Sequence, residues 1–436
     1  MVLSALGKTV FYDERTTAFS FLEPSDSALG PILAIPPIDE IIKSTTPTSY
    51  TFCIDVSDAC NLRCEYCFHK SKTGRTIDSR KATILLEQMF RKYPNGEKYF
   101  VDMSGKGEPL LALRTVLEIA DWCKTKQDQI RREVLPQFVC NGTLLTPTVA
   151  KVLQDKGILF GVSLDGNQET HDKYRKDVFG KPTFQRIIEN IRGITFRDYI
   201  GCTATITKDV FPLVEAIDSL LPLFKTICFR PARGNHGFDE KSETLWEFEY
   251  ERLGYRLLHD IEEGDPTVFL ALMNGEDYFG RYLVRAIGSK RTIARCDASI
   301  SRFAFDIDGN ESPCAACTDI PRSSFEAFSL RSQALRCRGC QLKCVCGGEC
   351  PLVFVSGNAG HEVMCKFRKK LIAIAMVLAE TMRLQNRNLF ERLEQFCEEK
   401  SNRFKKDLEL SAYMARHPEL SFTQAKKSFD EERRRY

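Results

Sequence analysis

Cys60, Cys64 and Cys67 are the residues whose type and spacing most plainly specify chemistry in this chain. They stand as C-NLR-C-EY-C on a loop after the strand-like run TFCIDVS, Thr51 to Ser57. Three thiolates so spaced can hold three corners of an iron–sulfur cube and leave the fourth iron open to a ligand, an arrangement for catalysis rather than for electron carriage alone. With His69 as a fourth ligand, the same thiols would instead make a zinc knuckle. A second array lies downstream: Cys296, Cys314, Cys337, Cys340, Cys346, Cys350 and Cys365, with Cys317 and Cys344 interspersed. Its core reads C-x2-C-x5-C-x3-C, and clustered thiols of this kind bind metal.

Composition supports metal over disulfides. The 436 residues are 43% hydrophobic and 28% charged, values of a globular chain long enough for one large barrel or two to three domains. The net charge of +3 gives no electrostatic argument for nucleic acid. The longest apolar run, Leu371 to Ala379, is nine residues and too short to span a bilayer. No basic start feeds a long apolar stretch at the N-terminus, so no signal peptide is expected and the chain belongs in the cytosol. There thiols stay reduced, and 18 cysteines do not mean a disulfide framework.

The elements that must position these residues follow from periodicity. Asp78 to Tyr93 has apolar residues at helical spacing, with Asp78 and Ser79 able to cap it. The pattern then repeats as YFVDMS, QFVCN, LFGVSLD, IGCTATI and TICFRP, each followed by an amphipathic helical run. Six strand–helix units imply an α/β fold with a parallel sheet and helices outside, either an open doubly wound sheet or a barrel short of eight units. The organisation reads as an irregular N-terminal segment 1–49, a strand–helix core 50–264, a Cys-rich domain 265–365 whose small core is held by metal, and a helical tail 366–436. After Cys365, KKLIAIAMVLAETMRLQNRNLFERLEQFCEEK reads as one long helix.

The C-x3-C-x-aromatic-C triad resembles the signature of the radical S-adenosylmethionine (radical SAM) superfamily. That resemblance implies a [4Fe–4S] cluster on Cys60, Cys64 and Cys67, whose open iron binds S-adenosylmethionine, with Tyr66 beside the cofactor. Further motifs agree. Gly105, Gly107, Glu108 and Pro109 in SGKGEPLL are similar to the family's Gly-Gly-Glu-Pro motif, with Lys106 inserted; Asn141-Gly142 resembles its TNG turn. Ser163 and Asp165 in VSLDG fall where relatives contact ribose and methionyl groups, and Arg175 in HDKYR resembles a position that pairs with the cofactor carboxylate. The implied fold is a partial (β/α)6 TIM-like barrel.

The second array resembles the SPASM extension, which carries two auxiliary [4Fe–4S] clusters. By that analogy Cys296, Cys314 and Cys350 bind one, with Cys317 or Cys344 as fourth ligand or an open iron. Cys337, Cys340, Cys346 and Cys365 bind the other. Three clusters in all are implied, with structural zinc as the alternative for the array.

The function these resemblances imply is a radical SAM/SPASM maturase. It takes hydrogen from a ribosomal precursor peptide, installs a cyclophane, ether or thioether crosslink, and receives electrons from a reductant such as flavodoxin or ferredoxin. Neither nucleic acid nor membrane is an expected partner. Only 59 residues precede Cys60, too few for a winged-helix leader-recognition domain, so a grip on a core motif is expected. The alternative is an anaerobic sulfatase-maturing enzyme, which makes formylglycine. In that family an Asp follows the cysteine matching Cys314 and serves as base; here Ala315 and Ala316 follow, leaving Asp306, Asp308 and Asp319 as candidate substitutes. A zinc-stabilised, non-enzymatic interaction protein is the third possibility.

Overall fold

The computed structural model describes residues 1–13, 18–21, 47–69, 72–209, 212–275, 277–289, 296, 298, 300–317, 337, 339–348, 350, 361–417, 419–420 and 422–433. The described part of the N-terminal segment is not irregular: β1 (Val2–Ala5) and β2 (Lys8–Tyr12) form an antiparallel hairpin, with β3 (Phe19–Ser20) on the other side of β2. Leu3, Ala5, Val10 and Tyr12 alternate inward. The turn places Leu6 in the left-handed region and drives its side chain against Gly254, where a β-carbon would stand 2.7 Å from it.

All six expected strands form. The chain runs β4 (Ser49–Ile54), α1 (Ser79–Lys92), β5 (Lys98–Asp102), α2 (Leu113–Ile130), β6 (Glu133–Cys140), α3 (Pro147–Asp155), β7 (Leu159–Ser163), α4 (Gln168–Tyr174), α5 (Phe184–Arg192), β8 (Gly201–Ile206), α6 (Leu213–Leu220), β9 (Thr226–Pro231) and α7 (Glu243–Glu263). These strands pair in parallel in chain order, β4 through β9. Phe52, Ile54, Tyr99, Val101, Phe138, Val162, Ile227 and Phe229 enter the main apolar core. The alternate residues, among them Cys53, Asp102, Gln137, Thr203, Thr205, Cys228 and Arg230, therefore face the other way.

The following segment stays with this sheet. Helix α8 (Thr267–Gly275) packs on β9, and α9 (Tyr278–Ile287) packs on α8. Gly275 permits the first contact, since a β-carbon there would lie 2.0 Å from the Ile227 carbonyl oxygen. Strand β10 (Arg302–Phe305) then pairs in parallel with β4, and β11 (Glu311–Ser312) pairs antiparallel with β10. Part of the 265–365 stretch thus extends the sheet on its first-strand side. β10 and β9 are separated by β4 to β8, about 29 Å if the sheet were flat. Yet the Arg302 and Arg230 guanidinium groups bear on each other electrostatically, so the sheet curls and its far strands face one another.

The C-terminal helix is not continuous. A short turn α10 (Lys343–Cys346) precedes α11 (His361–Gln385), and the chain breaks at Asn386 before α12 (Arg387–Arg416) and α13 (Phe422–Arg433). The Asn386 side chain accepts from Leu389 N–H at 3.1 Å and donates to the Ile261 carbonyl at 2.8 Å, ending one helix against α7 and capping the next. The apolar run Leu371 to Ala379 is buried on every side of α11, as a helix without a polar face must be. No helix among the described residues is long and apolar enough to cross a membrane.

Candidate active site

The cysteine loop follows β4, where the C-terminal ends of the parallel strands converge. Cys67 N–H donates to the Cys64 carbonyl at 3.0 Å, closing a tight C-x2-C turn. Burial pushes the Cys64 thiol up to about 11, and Arg175, Asp165, Cys60 and Cys67 all act on it. The three thiols are thus brought together. Among the described residues no three His, Cys, Asp or Glu side chains converge on a single metal-ion position. Thiolates that cap separate irons of a cube do not share one ion.

The Gly-Lys-Gly-Glu-Pro loop after β5 lies against this loop. A β-carbon on Gly107 would stand 2.2 Å from the Ala59 oxygen and 2.4 Å from the Ser57 oxygen; one on Gly105 would stand 2.0 Å from Asp55 Oδ1. The glycines let one loop lie against the other. Glu108 N–H donates to Ala59 O at 2.7 Å, while its carboxylate accepts from Leu110 N–H at 3.0 Å and Asn141 N–H at 2.7 Å. Pro109 begins the short 3-10 turn Pro109–Ala112 that Glu108 caps. Burial raises the Glu108 carboxyl to about 7. The Asn141 side chain donates to Asn61 Oδ1 at 2.8 Å and accepts from Thr143; Asn61 in turn donates to Thr143 Oγ1 at 2.8 Å. Gly142 takes φ +80°, the left-handed turn that the Asn-Gly pair supplies.

Beyond β7 the groups interlock. Asp165 Oδ1 accepts from Thr205 N–H at 2.7 Å, and Oδ2 accepts from Arg175 Nε at 2.8 Å and from the Tyr66 hydroxyl. Arg175 lies over the Tyr66 ring at 5.3 Å. Burial is the largest influence on Tyr66, whose phenol is held well above its usual range. Ser163 ends β7, paired in register with Thr203. His171 is a framework residue: its Nδ1 accepts from Asp165 N–H at 3.3 Å, and burial lowers it to about 4, so it stays neutral.

The candidate bases do different work. Asp306 accepts from the backbone of Asp308 and Asn310, closing the β10–β11 turn. Asp308 forms a bidentate pair with Arg75 at 2.9 and 3.0 Å in an exposed position. Asp306 thus holds a turn and Asp308 an exposed ion pair, while Asp319 lies outside the described residues, as does the Cys317 side chain. In the second array, Cys340 N–H donates to Cys337 O at 2.9 Å, repeating the turn of Cys64 and Cys67. Burial raises the Cys337 thiol, and Cys346, Cys340 and Cys365 act on it too, so these four thiols lie near one another. Cys314 acts instead on Cys53, a buried β4 thiol that accepts from Arg302 at 3.7 Å. Asn61, Thr143 and Thr205 were not anticipated; polar residues are common in such loops, and no spacing singles them out.

Known proteins share this organisation. Residues 54–207 match the Radical SAM superfamily. A serine-type anaerobic sulfatase-maturating enzyme of Bacteroides thetaiotaomicron is 31% identical over 151 residues, 33% of this chain and 35% of that protein. The chain therefore spans about a third of that relative's length. The serine-type enzyme of Klebsiella pneumoniae is 27% identical over 342 residues, 71% of this chain and 83% of that protein. The fold resembles native anSMEcpe with bound AdoMet at a TM-score of 0.59, 19% identity, covering 77% of this chain and 99% of that one. Residues 54–207 thus form a radical SAM domain, on a chain homologous to the anaerobic sulfatase-maturating enzymes.

Proposed function

We propose that the chain is a radical SAM enzyme that oxidises a peptide, joining two of its side-chain or backbone atoms in a crosslink. The observation that carries this reading is the convergence of the Cys60–Cys67 loop, the Gly105–Glu108 loop and the Tyr66–Asp165–Arg175 group at one end of the sheet. The donor set fits an iron–sulfur cube, with three mutually close thiols on one loop and no fourth cysteine in their turn. When bound, cluster and S-adenosylmethionine supply a carbon radical that takes a hydrogen atom from an unactivated C–H bond. The residues do the rest. Gly105 and Gly107 seat the cluster loop, Glu108 ties it to Asn141, and Asp165 holds Tyr66 and Arg175 in place. The grouped Cys337, Cys340, Cys346 and Cys365 are suited to hold a second redox centre.

A peptide substrate is supported by the fold's likeness to anSMEcpe, which has been solved with AdoMet and the Cp18Cys peptide. Formylglycine formation is the second reading, favoured by the similarity to sulfatase-maturating enzymes. Against it stand Ala315 and Ala316, which follow Cys314 where that family carries its Asp.

Crosslinking removes one hydrogen atom, one proton and one electron from the peptide, a loss of two hydrogens in total. Tandem mass spectrometry of a precursor co-expressed with this chain should show that loss per modification, with no hydrazide-reactive carbonyl. A hydrazide adduct would establish formylglycine instead; a gain of oxygen, a loss of carbon dioxide, or unchanged mass would reject both.

A further inference from the structure

The interior face of the curled sheet is open to water along its later strands. Val139 on β6 is exposed there, and Gln137, Thr203 and Thr205 are half-buried on the same face. Arg230 on β9 joins them: its neighbour Phe229 is buried in the core, and Arg230 itself is exposed.

The Arg230 guanidinium has no acid of its own. Its Nε donates to Cys228 Sγ at 3.3 Å, a thiol that burial pushes up and keeps neutral. It forms no ion pair among the described residues. The side chains that bear on its charge most are Cys228, Tyr278 and Arg302, and none is a carboxylate. Arg302, facing it from β10, lies 3.8 Å from Asp102, whose oxygens also accept from Ser104 N–H at 2.9 Å and Gln137 Nε2 at 3.4 Å. The other acids of this face are placed elsewhere: Asp165 holds Arg175 at 2.8 Å, and Asp55 lies against Gly105 beside β4. Two like charges thus face each other inside the curl, and Arg230 has no carboxylate to offset its own.

Its place in the sheet is specific. Arg230 pairs in register with Thr205, whose N–H donates to Asp165 Oδ1 at 2.7 Å and whose hydroxyl accepts from Arg175 Nη2 at 3.4 Å. Adjacent strands lie about 4.8 Å apart, so Arg230 stands one strand from the Tyr66–Asp165–Arg175 group.

We propose that Arg230 is the binding site for a carboxylate of the peptide substrate, so that the enzyme selects peptides carrying one. This rests on the radical SAM peptide reading given above. A carboxylate matches the planar guanidinium with paired hydrogen bonds and supplies the negative charge that the facing arginines lack. A neutral backbone carbonyl would leave the like charges uncompensated. An Asp or Glu side chain and a C-terminal carboxylate offer the same chemistry, and the test separates them.

The test uses the reconstituted holoenzyme with S-adenosylmethionine bound and no reductant, so nothing turns over. Three pools of short synthetic peptides share one set of sequences. The first is amidated and contains Asp and Glu, the second is amidated with Asn and Gln in their places, and the third is the second with free C-termini. Retention on immobilised protein is read by mass spectrometry. Wild type should retain the first or the third pool over the second by about tenfold or more, and the favoured pool names the source of the carboxylate. R230Q should lose that preference and R230K keep part of it, with S-adenosylmethionine affinity by calorimetry unchanged in both. The proposal is overturned if wild type retains the second pool equally, or if R230Q keeps the preference. It is also overturned if R230Q weakens S-adenosylmethionine binding as much as peptide retention, which would make Arg230 a cofactor contact. If wild type yields no 5′-deoxyadenosine with dithionite, the radical SAM reading fails, while the pools still decide whether Arg230 binds a carboxylate.

Discussion

Arg175 and Asp165 form a buried ion pair, Nε to Oδ2 at 2.8 Å, that fixes four elements at once. Asp165 ends the β7 segment, Arg175 follows α4, Tyr66 comes from the cysteine loop, and Thr205 lies on β8. Removing the charge from Asp165 leaves the Arg175 guanidinium buried without its partner. Breaking such a pair costs about 3–5 kcal/mol. Asp165→Asn should therefore lower the unfolding midpoint by about 5 °C or more and weaken S-adenosylmethionine binding by calorimetry. An unchanged midpoint would show that the pair contributes nothing net.

Gly107 tests the contact between loops. A methyl group there would overlap the backbone oxygens of Ala59 and Ser57, and backbone cannot swing aside. Gly107→Ala should displace the cysteine loop, so reconstituted protein should hold about four fewer irons, one cube, and make no 5′-deoxyadenosine. Lys106→Ala is the comparison: its carbonyl, not its side chain, accepts from Lys72 at 2.8 Å, and iron content should stay unchanged.

Motif chemistry was legible because it depends on short spacings: the cysteine triad, the Gly-Lys-Gly-Glu-Pro loop and the strand–helix repeat all lie within a few residues of themselves. What was hidden depends on distant partners. Nothing in the four residues of β10 marks RFAF as a strand, because its ladder partner is β4 at the other end of the core. Asp308 looked available as a base because carboxylate type is visible in sequence, whereas its neighbour Arg75 is 233 residues away. The N-terminal hairpin was legible in principle, since Leu3 and Ala5 alternate before the Leu-Gly turn, but the acidic composition of 1–49 obscured it.

His171 gives the framework a pH dependence. Its folded value is lowered by burial to about 4 from 6.5, so between those values the unfolded chain binds a proton that the folded chain does not. Stability contributed by this residue is complete above pH 6.5 and falls as pH drops toward 4. The full difference is about 3 kcal/mol, at roughly 1.4 kcal/mol per unit. His171→Gln removes the titrating group and should flatten the unfolding midpoint between pH 6.5 and 4 relative to wild type. Parallel pH curves for the two proteins would place the titration elsewhere.

Cys337 and Cys340 belong to a thiol group distinct from the Cys60–Cys67 triad. Their turn copies that of Cys64 and Cys67, yet it belongs to a group with Cys346 and Cys365, whereas Arg175, Asp165, Cys60 and Cys67 act on Cys64. The two thiol groups should therefore be separable by mutation. A cube carries four irons, so C337A/C340A should lower iron content by about four per chain. Cleavage of S-adenosylmethionine with dithionite should persist, because the triad loop is untouched, while peptide oxidation should fall for want of an electron acceptor. Iron and sulfide analysis with product quantification reads all three. Loss of one zinc in place of iron would make the quartet a structural site, and loss of cleavage along with the iron would show that the two thiol groups serve one centre.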